Sequence, residues 1–327
     1  MDGGGYAVEV CDAAYAGRAA ACSIRGAGAR QTIRATLISQ GTMFVGGRMV
    51  IDAAGKVEAV GCYIPEPDDA VVLDCPGALV SAGLINLHEH IDYSYQQPAR
   101  PPVLKWQHRN EWRRLPAEVR GFEGDAPKDK QVQAEVAERA MLRHALSGTT
   151  ALSGAKDFNA FLRNLRLTDA PLATPFGAAV LDNTFPVNDA ASMAVLAQPC
   201  DAAQVAAVKF NPAQAFIPHV GEGTGDGARH EVDCVLDAIQ GKRTPSAFIH
   251  GVAISQAQVA RLKAQNVAVV LSPRSNLQLY GAAAPVAALK AGGVTLGLGT
   301  DWSPSGSLTL LDEARCLARH NRDSLGG

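Results

Sequence analysis

Two histidines one residue apart, His88 and His90, close the apolar run "GLINLHEH". Residues i and i+2 of a strand point the same way, so both imidazoles can face one ion. Other apolar runs also end on polar, titratable residues: "AFIPHVGE" on His219 and Glu222, "SAFIHG" on His250, and "VTLGLGTD" on Asp301. Neutral imidazoles with a carboxylate suit zinc or a similar divalent metal, and the ligand types alone do not separate zinc from iron, nickel or manganese. A lone His-x-His pair says little, because strand histidines are common; four such strand ends say far more. The same residues form an acid–base set. A metal brings the pKa of bound water down to about 7. Asp301 can take that water's proton, His250 can polarise a scissile carbonyl or ring carbon, and Glu222 can donate to a leaving nitrogen.

Around this set stand candidates for substrate contact. "SPRSNLQLYG" offers Arg274 for a substrate carboxylate or an internal pair, and Ser275 and Asn276 for polar binding or turn chemistry. Trp302 directly follows Asp301, and Tyr93, Tyr95, Trp106, His108 and Arg109 are pocket or packing residues of the segment after His90. His144, His230 and His320 read as ordinary helix residues. Glu89 should point away from its neighbours by the alternation that aligns them.

The elements that must position these residues follow from periodicity. From residue 83 onward, short apolar runs alternate with helical stretches, the rhythm of a parallel α/β fold. "AEVAERAMLRHAL" predicts a helix over 134–146 stopped by Gly148, and "SQAQVARLKAQN" one capped by Ser255. "TTALSGA", "VAVVLS" and "VTLGLGTD" predict strands, and "PVAALKAGG" a short helix. If parallel strands close a barrel, their C-terminal ends share one rim, where chemistry is built. Ahead of this, residues 31–82 predict short strands with a hairpin turn at "AAGK", and residues 1–30 an irregular arm. Residues 98–130 form a Pro- and Arg-rich insertion of the kind that carries function more often than spacing. The expected division is 1–30 arm, 31–82 β unit and 83–327 main domain.

The 327 residues are 47% hydrophobic and 19% charged, with a net charge of −2. That is a globular composition with no basic stripe for nucleic acid and no apolar run long enough for a membrane span. No signal-peptide pattern opens the sequence, although such a segment could have been removed. Of seven cysteines, none forms a Cys-x-x-Cys pair. They read either as scattered reduced thiols or as two short loops, Cys11/Cys22 and Cys62/Cys75, plus Cys200/Cys234, leaving Cys316 free; spacing does not fix the pairing.

The pieces "GLINLHEH", "SGTTA", "HVGEG", "FIHG", "LSPRSNLQLYG" and "GLGTDWSPSG" resemble, in order and over about residues 31–320, the amidohydrolase superfamily in its cytosine-deaminase and chlorohydrolase-like branch. The resemblance implies a (β/α)8 TIM barrel with a small N-terminal β-sandwich. It implies one metal, zinc first (Fe2+, Ni2+ or Mn2+ as alternatives), on His88, His90, His219 and Asp301. His250 would contact the metal-bound water or the substrate, and Glu222 would shuttle the proton. The implied function is hydrolysis of a non-peptide C–N bond in an amide, cyclic amide or amino-heterocycle of small size. The alternatives are an aminohydrolase (deaminase) of a purine- or pyrimidine-like ring, and an inactive or truncated barrel that binds without turnover. Lys209 is a poor match for the bridging lysine of binuclear relatives. Relatives continue beyond the point where this sequence ends, so either it is a fragment or the small domain is reduced; the sandwich is expected to be incomplete, its unpaired edges would be a liability for stability and association, and a homo-oligomer is one outcome. An exported bacterial subset shares the "QHRNEWRR"-like segment and cysteines placed like Cys62/Cys75 and Cys200/Cys234, which points to a periplasmic or exported origin and three disulfide bonds.

Overall fold

The computed structural model describes residues 6–17, 20–100, 104–115, 127–158, 160–166, 180–187, 198–211 and 213–325. It divides the chain into two compact units, Met1–Gly83 and Leu84–Gly327.

The first unit is one hydrogen-bonded sheet of six strands: β1 (Ala7–Val10), β2 (Ser23–Arg25), β3 (Arg30–Ser39), β4 (Thr42–Ile51), β5 (Val57–Gly61) and β6 (Ala70–Val80). The spatial order is β1-β4-β3-β6-β2, with β5 also on β4. β3 and β4 turn back on each other through Gln40 and Gly41, both left-handed at φ 48° and 80°, the twist a two-residue hairpin needs. In the β4–β5 turn, Asp52 Oδ1 accepts from the backbone N–H of Ala54 and Lys56, an Asx-type turn within the stretch read as a hairpin. Ala35, Leu37 and Cys75 form the buried centre, with Ile33, Phe44 and Leu73 against it.

The stretch expected to be an irregular arm contributes β1, β2 and a buried Tyr15, whose hydroxyl donates to Asp74. Periodicity missed it because β1 and β2 are short edge strands with every residue exposed, so no apolar alternation marks them.

The disulfides are Cys11–Cys62, Cys22–Cys75 and Cys200–Cys234. The expected loops Cys11/Cys22 and Cys62/Cys75 are therefore wrong, and Cys200/Cys234 stands. The reason is strand pairing. β2 runs antiparallel to β6 with Ser23 opposite Asp74, which puts Cys22 beside Cys75. β1 pairs with the first half of β4 and β5 with the second, so Cys11 and Cys62 meet where one partner gives way to the other. Three disulfides are compatible with an oxidising compartment.

The second unit is a mixed α/β fold. Its strands are β7 (Leu84–Asn86), β8 (Thr149–Leu152), β9 (Arg163–Asn164), β10 (Val180–Thr184), β11 (Ala215–Val220), β12 (Ser246–His250), β13 (Val267–Leu271) and β14 (Leu296–Leu298). Its helices are α1 (Arg109–Arg113), α2 (Lys130–Leu146), α3 (Ala202–Ala207), α4 (Asp226–Ile239), α5 (Gln256–Ala264), α6 (Pro273–Tyr280), α7 (Val286–Ala291) and α8 (Leu310–Leu325). β7-β8-β9 and β10-β11-β12-β13-β14 form two sheets, every pair parallel. Backbone bonds also run from Val180 N–H to Leu165 O at 3.1 Å and from Leu87 N–H to Leu298 O at 3.2 Å. β11, β12 and β13 are largely buried apolar runs, as parallel strands covered by helices are. Phe216, Phe248, Val269, Val235, Leu236, Leu262 and Leu289 are among the side chains of the main core. Ser255 caps α5 in a capping box with Gln258, as the sequence predicts. Among the described residues, no helix is long and apolar enough to cross a membrane.

Candidate metal centre and active site

Each polar strand end arrives at one place. His88 and His90 follow β7, His219 lies within β11, Glu222 just beyond it, His250 ends β12, and Asp301 follows β14. The strands are parallel, so their C-terminal ends lie together. His88 Nε2 is 3.2 Å and His90 Nε2 3.7 Å from Asp301 Oδ1. His250 Nε2 is 4.0 Å from Asp301 Oδ2 and 3.7 Å from Glu222 Oε1. The ring centroids of His88 and His219 are 4.8 Å apart. Two overlapping groups, His88/His219/His250 and His88/His90/Asp301, each bring their donor atoms within 4.8 Å of one another. His250 and Asp301 both sit in the left-handed region, at φ 72° and 60°, a strain that the surrounding packing must hold.

The donor set fits a divalent metal. Burial, reinforced by the neighbouring histidines, brings His90 down to about 4 and holds His219 well below the ordinary imidazole range. Burial also lowers His250 to about 4, against the pull of Asp301. Neutral imidazole is the form that ligates. Burial opposes charge on His88 as well, but Asp301 outweighs it and raises that pKa, while the histidines hold Asp301 far below the usual carboxylate range despite its burial. His219 Nδ1 is buried without a hydrogen-bond partner among the described residues, a costly state unless a ligand takes the nitrogen.

Beside these groups lies the acid–base pair. Glu222 is raised to about 7, first by burial and with Asp301 adding to it, although Arg109 pulls the other way. Tyr280 Oη donates to Glu222 Oε1 at 2.6 Å, and Trp112 Nε1 donates to Tyr280 Oη at 3.0 Å. Asn276 Oδ1 lies 2.8 Å from His250 Nδ1, and an amide oxygen only accepts, so this ring nitrogen donates and Nε2 is turned to Glu222 and Asp301. Below the Glu222 loop, Arg109 and Glu231 form a fully buried two-pronged pair, and Glu231 Oε2 also accepts Gly221 N–H at 2.9 Å.

The cluster opens into a cavity of about 430 Å³. Tyr93 and Trp302 line it, as do Trp112, Arg113, Lys156, Arg166, Asp182 and Phe185. Phe185 stacks on His219 at 4.3 Å, and Arg113 covers the Phe185 ring at 4.0 Å. The remaining predicted contacts lie elsewhere. His108 is buried as the N-cap of α1, accepting from Asn110 N–H, and Trp106 packs against the Trp112–Tyr280–Trp302 cluster. Ser275 bonds Ser305, and Asn276 reaches the site through His250. Arg274 faces a separate surface cavity between α6 and α8 with Arg315 and Arg319.

Some site residues were beyond the sequence reading. Tyr280 had a signal: it follows Asn276 by one helical turn on α6, so both face the same side. Phe185, Asp182 and Glu231 had none, since they come from elements whose neighbours only the fold supplies. His144 is not an ordinary helix residue: it is fully buried, 3.2 Å from Glu89.

No family model matches the chain. It is 27% identical to a 5-methylthioadenosine/S-adenosylhomocysteine deaminase of Halobacterium salinarum, over 83% of this chain and 68% of that protein. It is also 27% identical to the enzyme of that name from Haloquadratum walsbyi, of which the match spans 61%. Among solved structures, atrazine chlorohydrolase from Arthrobacter aurescens complexed with zinc has a TM-score of 0.58 at 17% identity, covering 89% of this chain and 78% of that one. Guanine deaminase from C. acetobutylicum with bound guanine has a TM-score of 0.56 at 13% identity, covering 91% and 81%. These neighbours are deaminases and hydrolases of the amidohydrolase superfamily, the group that the motifs resemble.

Proposed function

We propose that this chain is a metal-dependent hydrolase of a non-peptide C–N bond in a small amide, cyclic amide or amino-heterocycle, built on a closed eight-stranded barrel preceded in sequence by strands of a small β-sandwich. The observation that carries the reading is the convergence of four imidazoles, Asp301 and a Glu222 raised to about 7 at four parallel strand ends. His88, His90, His219 and Asp301 would hold one divalent metal, zinc in the first place, as in the zinc complex of the chlorohydrolase. Such a metal supplies Lewis acidity and a water that is nucleophilic near neutral pH. Asp301 accepts a proton from the attacking water. Glu222, raised to about 7, is part-protonated near neutral pH and can hand its carboxyl proton to the departing nitrogen; Tyr280 fixes Oε1 and leaves Oε2 for that transfer. His250, whose Nδ1–H is tied to Asn276, presents Nε2 as an acceptor and orients the attacking water. Tyr93, Trp112 and Trp302 offer faces for a flat ring, which together with the named curated relatives favours release of ammonia from an aminated ring. The disulfides favour an exported origin.

The test is metal content of the purified protein and an ammonia-release screen across amides and aminated purines, pyrimidines and triazines. Stoichiometric metal with turnover of an aminated ring, lost at least about a thousandfold in Asp301→Asn, is the expected result. Full turnover in Asp301→Asn would sink the assignment, and metal without turnover of any class would favour a binding protein instead.

A further inference from the structure

Glu89 has no task in the chemistry above. It stands between His88 and His90 with its side chain turned away from them, yet it is only 1% exposed. Oε2 accepts from Thr300 Oγ1 and, at 3.3 Å, from Asn86 Nδ2, and lies 3.2 Å from His144 Nε2. Asn86 Nδ2 donates to Thr300 Oγ1 at 2.7 Å, while Asn86 Oδ1 accepts the backbone N–H groups of His88 at 3.3 Å and Thr300 at 3.2 Å. All four side chains are buried. They come from three elements: the end of β7, the turn after β14, and α2.

A carboxylate in such a place is expensive. An apolar residue of similar size fills the space without the desolvation cost. What a carboxylate adds is a fixed link between the two chain ends that carry His88, His90 and Asp301. Those ends approach closely: a Cβ on Gly299 would stand 2.4 Å from His88 Cβ, Asp301 N–H donates to His88 O at 2.9 Å, and the backbones of Glu89 and Asp301 pair in an isolated parallel β-bridge. Asp301 is left-handed there, so its orientation depends on its neighbours.

We infer that Glu89, acting with Thr300, Asn86 and His144, is a positioning residue that sets the two metal-binding histidines of β7 against Asp301. The inference rests on the metal site proposed above. Groups behind a ligand shell that orient the ligands typically change metal affinity by about 10- to 100-fold when removed.

The test compares wild type, Glu89→Gln, Thr300→Val and Thr300→Ser as metal-stripped full-length chains. Each is titrated with Zn2+ against a chromophoric chelator, and the visible spectrum of its Co2+-loaded form is recorded. Glu89→Gln and Thr300→Val are expected to bind Zn2+ about 10- to 100-fold more weakly with altered Co2+ bands, while Thr300→Ser stays near wild type. Should Glu89→Gln fail to fold, the Val/Ser pair at position 300 carries the comparison. Wild-type affinity and spectrum in Glu89→Gln and Thr300→Val, even with lowered melting temperatures, would make the network merely structural and overturn the inference. A wild type that binds no Zn2+ overturns the metal site itself, and this inference with it.

Discussion

In Met1–Gly83, two disulfides tie strands together around a centre of Ala35, Leu37 and Cys75, while every residue of β1 and β2 is exposed. In Leu84–Gly327, a core of large aromatic and branched side chains is crossed by one disulfide and encloses buried charges. A small sheet with little apolar surface to bury gains from cross-links that restrict its unfolded state. A large core has stability in reserve and can hold strained, desolvated groups. Left-handed His250 and Asp301, the buried Arg109–Glu231 pair and the raised Glu222 all lie in the second unit.

The sharpest way to break this contrast is to remove the cross-links. Cys11→Ser/Cys62→Ser and Cys22→Ser/Cys75→Ser each open a loop of about fifty residues, worth about 4 kcal/mol apiece by loop-closure entropy. With both removed, limited proteolysis should digest the first unit while the second keeps its helical circular dichroism. Equal protection of both would end the argument, and a Cys11–Cys22 peptide in a non-reducing digest would overturn the connectivity.

Next in size is the buried pair. Arg109→Met strands Glu231 without its guanidinium and should cost about 3–5 kcal/mol in denaturant unfolding, with much of it regained in Arg109→Met/Glu231→Leu. A loss below about 1 kcal/mol would mean that the pair contributes no more than a surface one.

A third test uses pH. Burial raises Glu313 to about 7, although Ser307 and the Arg274 backbone oppose it. A raised carboxylate favours the folded state fully below its unfolded value near 4.5, and this contribution is lost as pH climbs through the folded value. The second unit should therefore lose on the order of 3 kcal/mol between about pH 4.5 and 7 from this group, and Glu313→Gln should remove that part of the slope in chemical melts. An unchanged slope would refute it. The smallest effect is local: Ser255→Ala removes the α5 cap and should lower stability by about 1 kcal/mol, measured the same way.

How far the residues themselves announced this architecture differs between the units. β11, β12 and β13 were legible because a buried parallel strand is a continuous apolar run, and the histidines at or next to the ends of β11 and β12 stand out. β1 and β2 were illegible because exposed edge strands carry no such pattern, and the cysteines beside them paired by strand register, not by nearness in sequence. Within the site, His88, His90, His219, His250 and Asp301 were visible as strand ends. Arg274 looked like a ligand for the substrate and instead faces another surface, because its place on α6 turns it outward while Asn276 and Tyr280 turn in.

The sequence by itself determined which side chains can ligate and exchange protons, since residue type and strand alternation are local properties. Only the tertiary structure decided that Glu222 is desolvated into the neutral range, that Tyr280 and Asn276 orient the acid and the imidazole, and that Glu89 joins His144 and Thr300. Burial and hydrogen-bond partnership depend on which distant segments meet, and that is fixed by how the strands assemble.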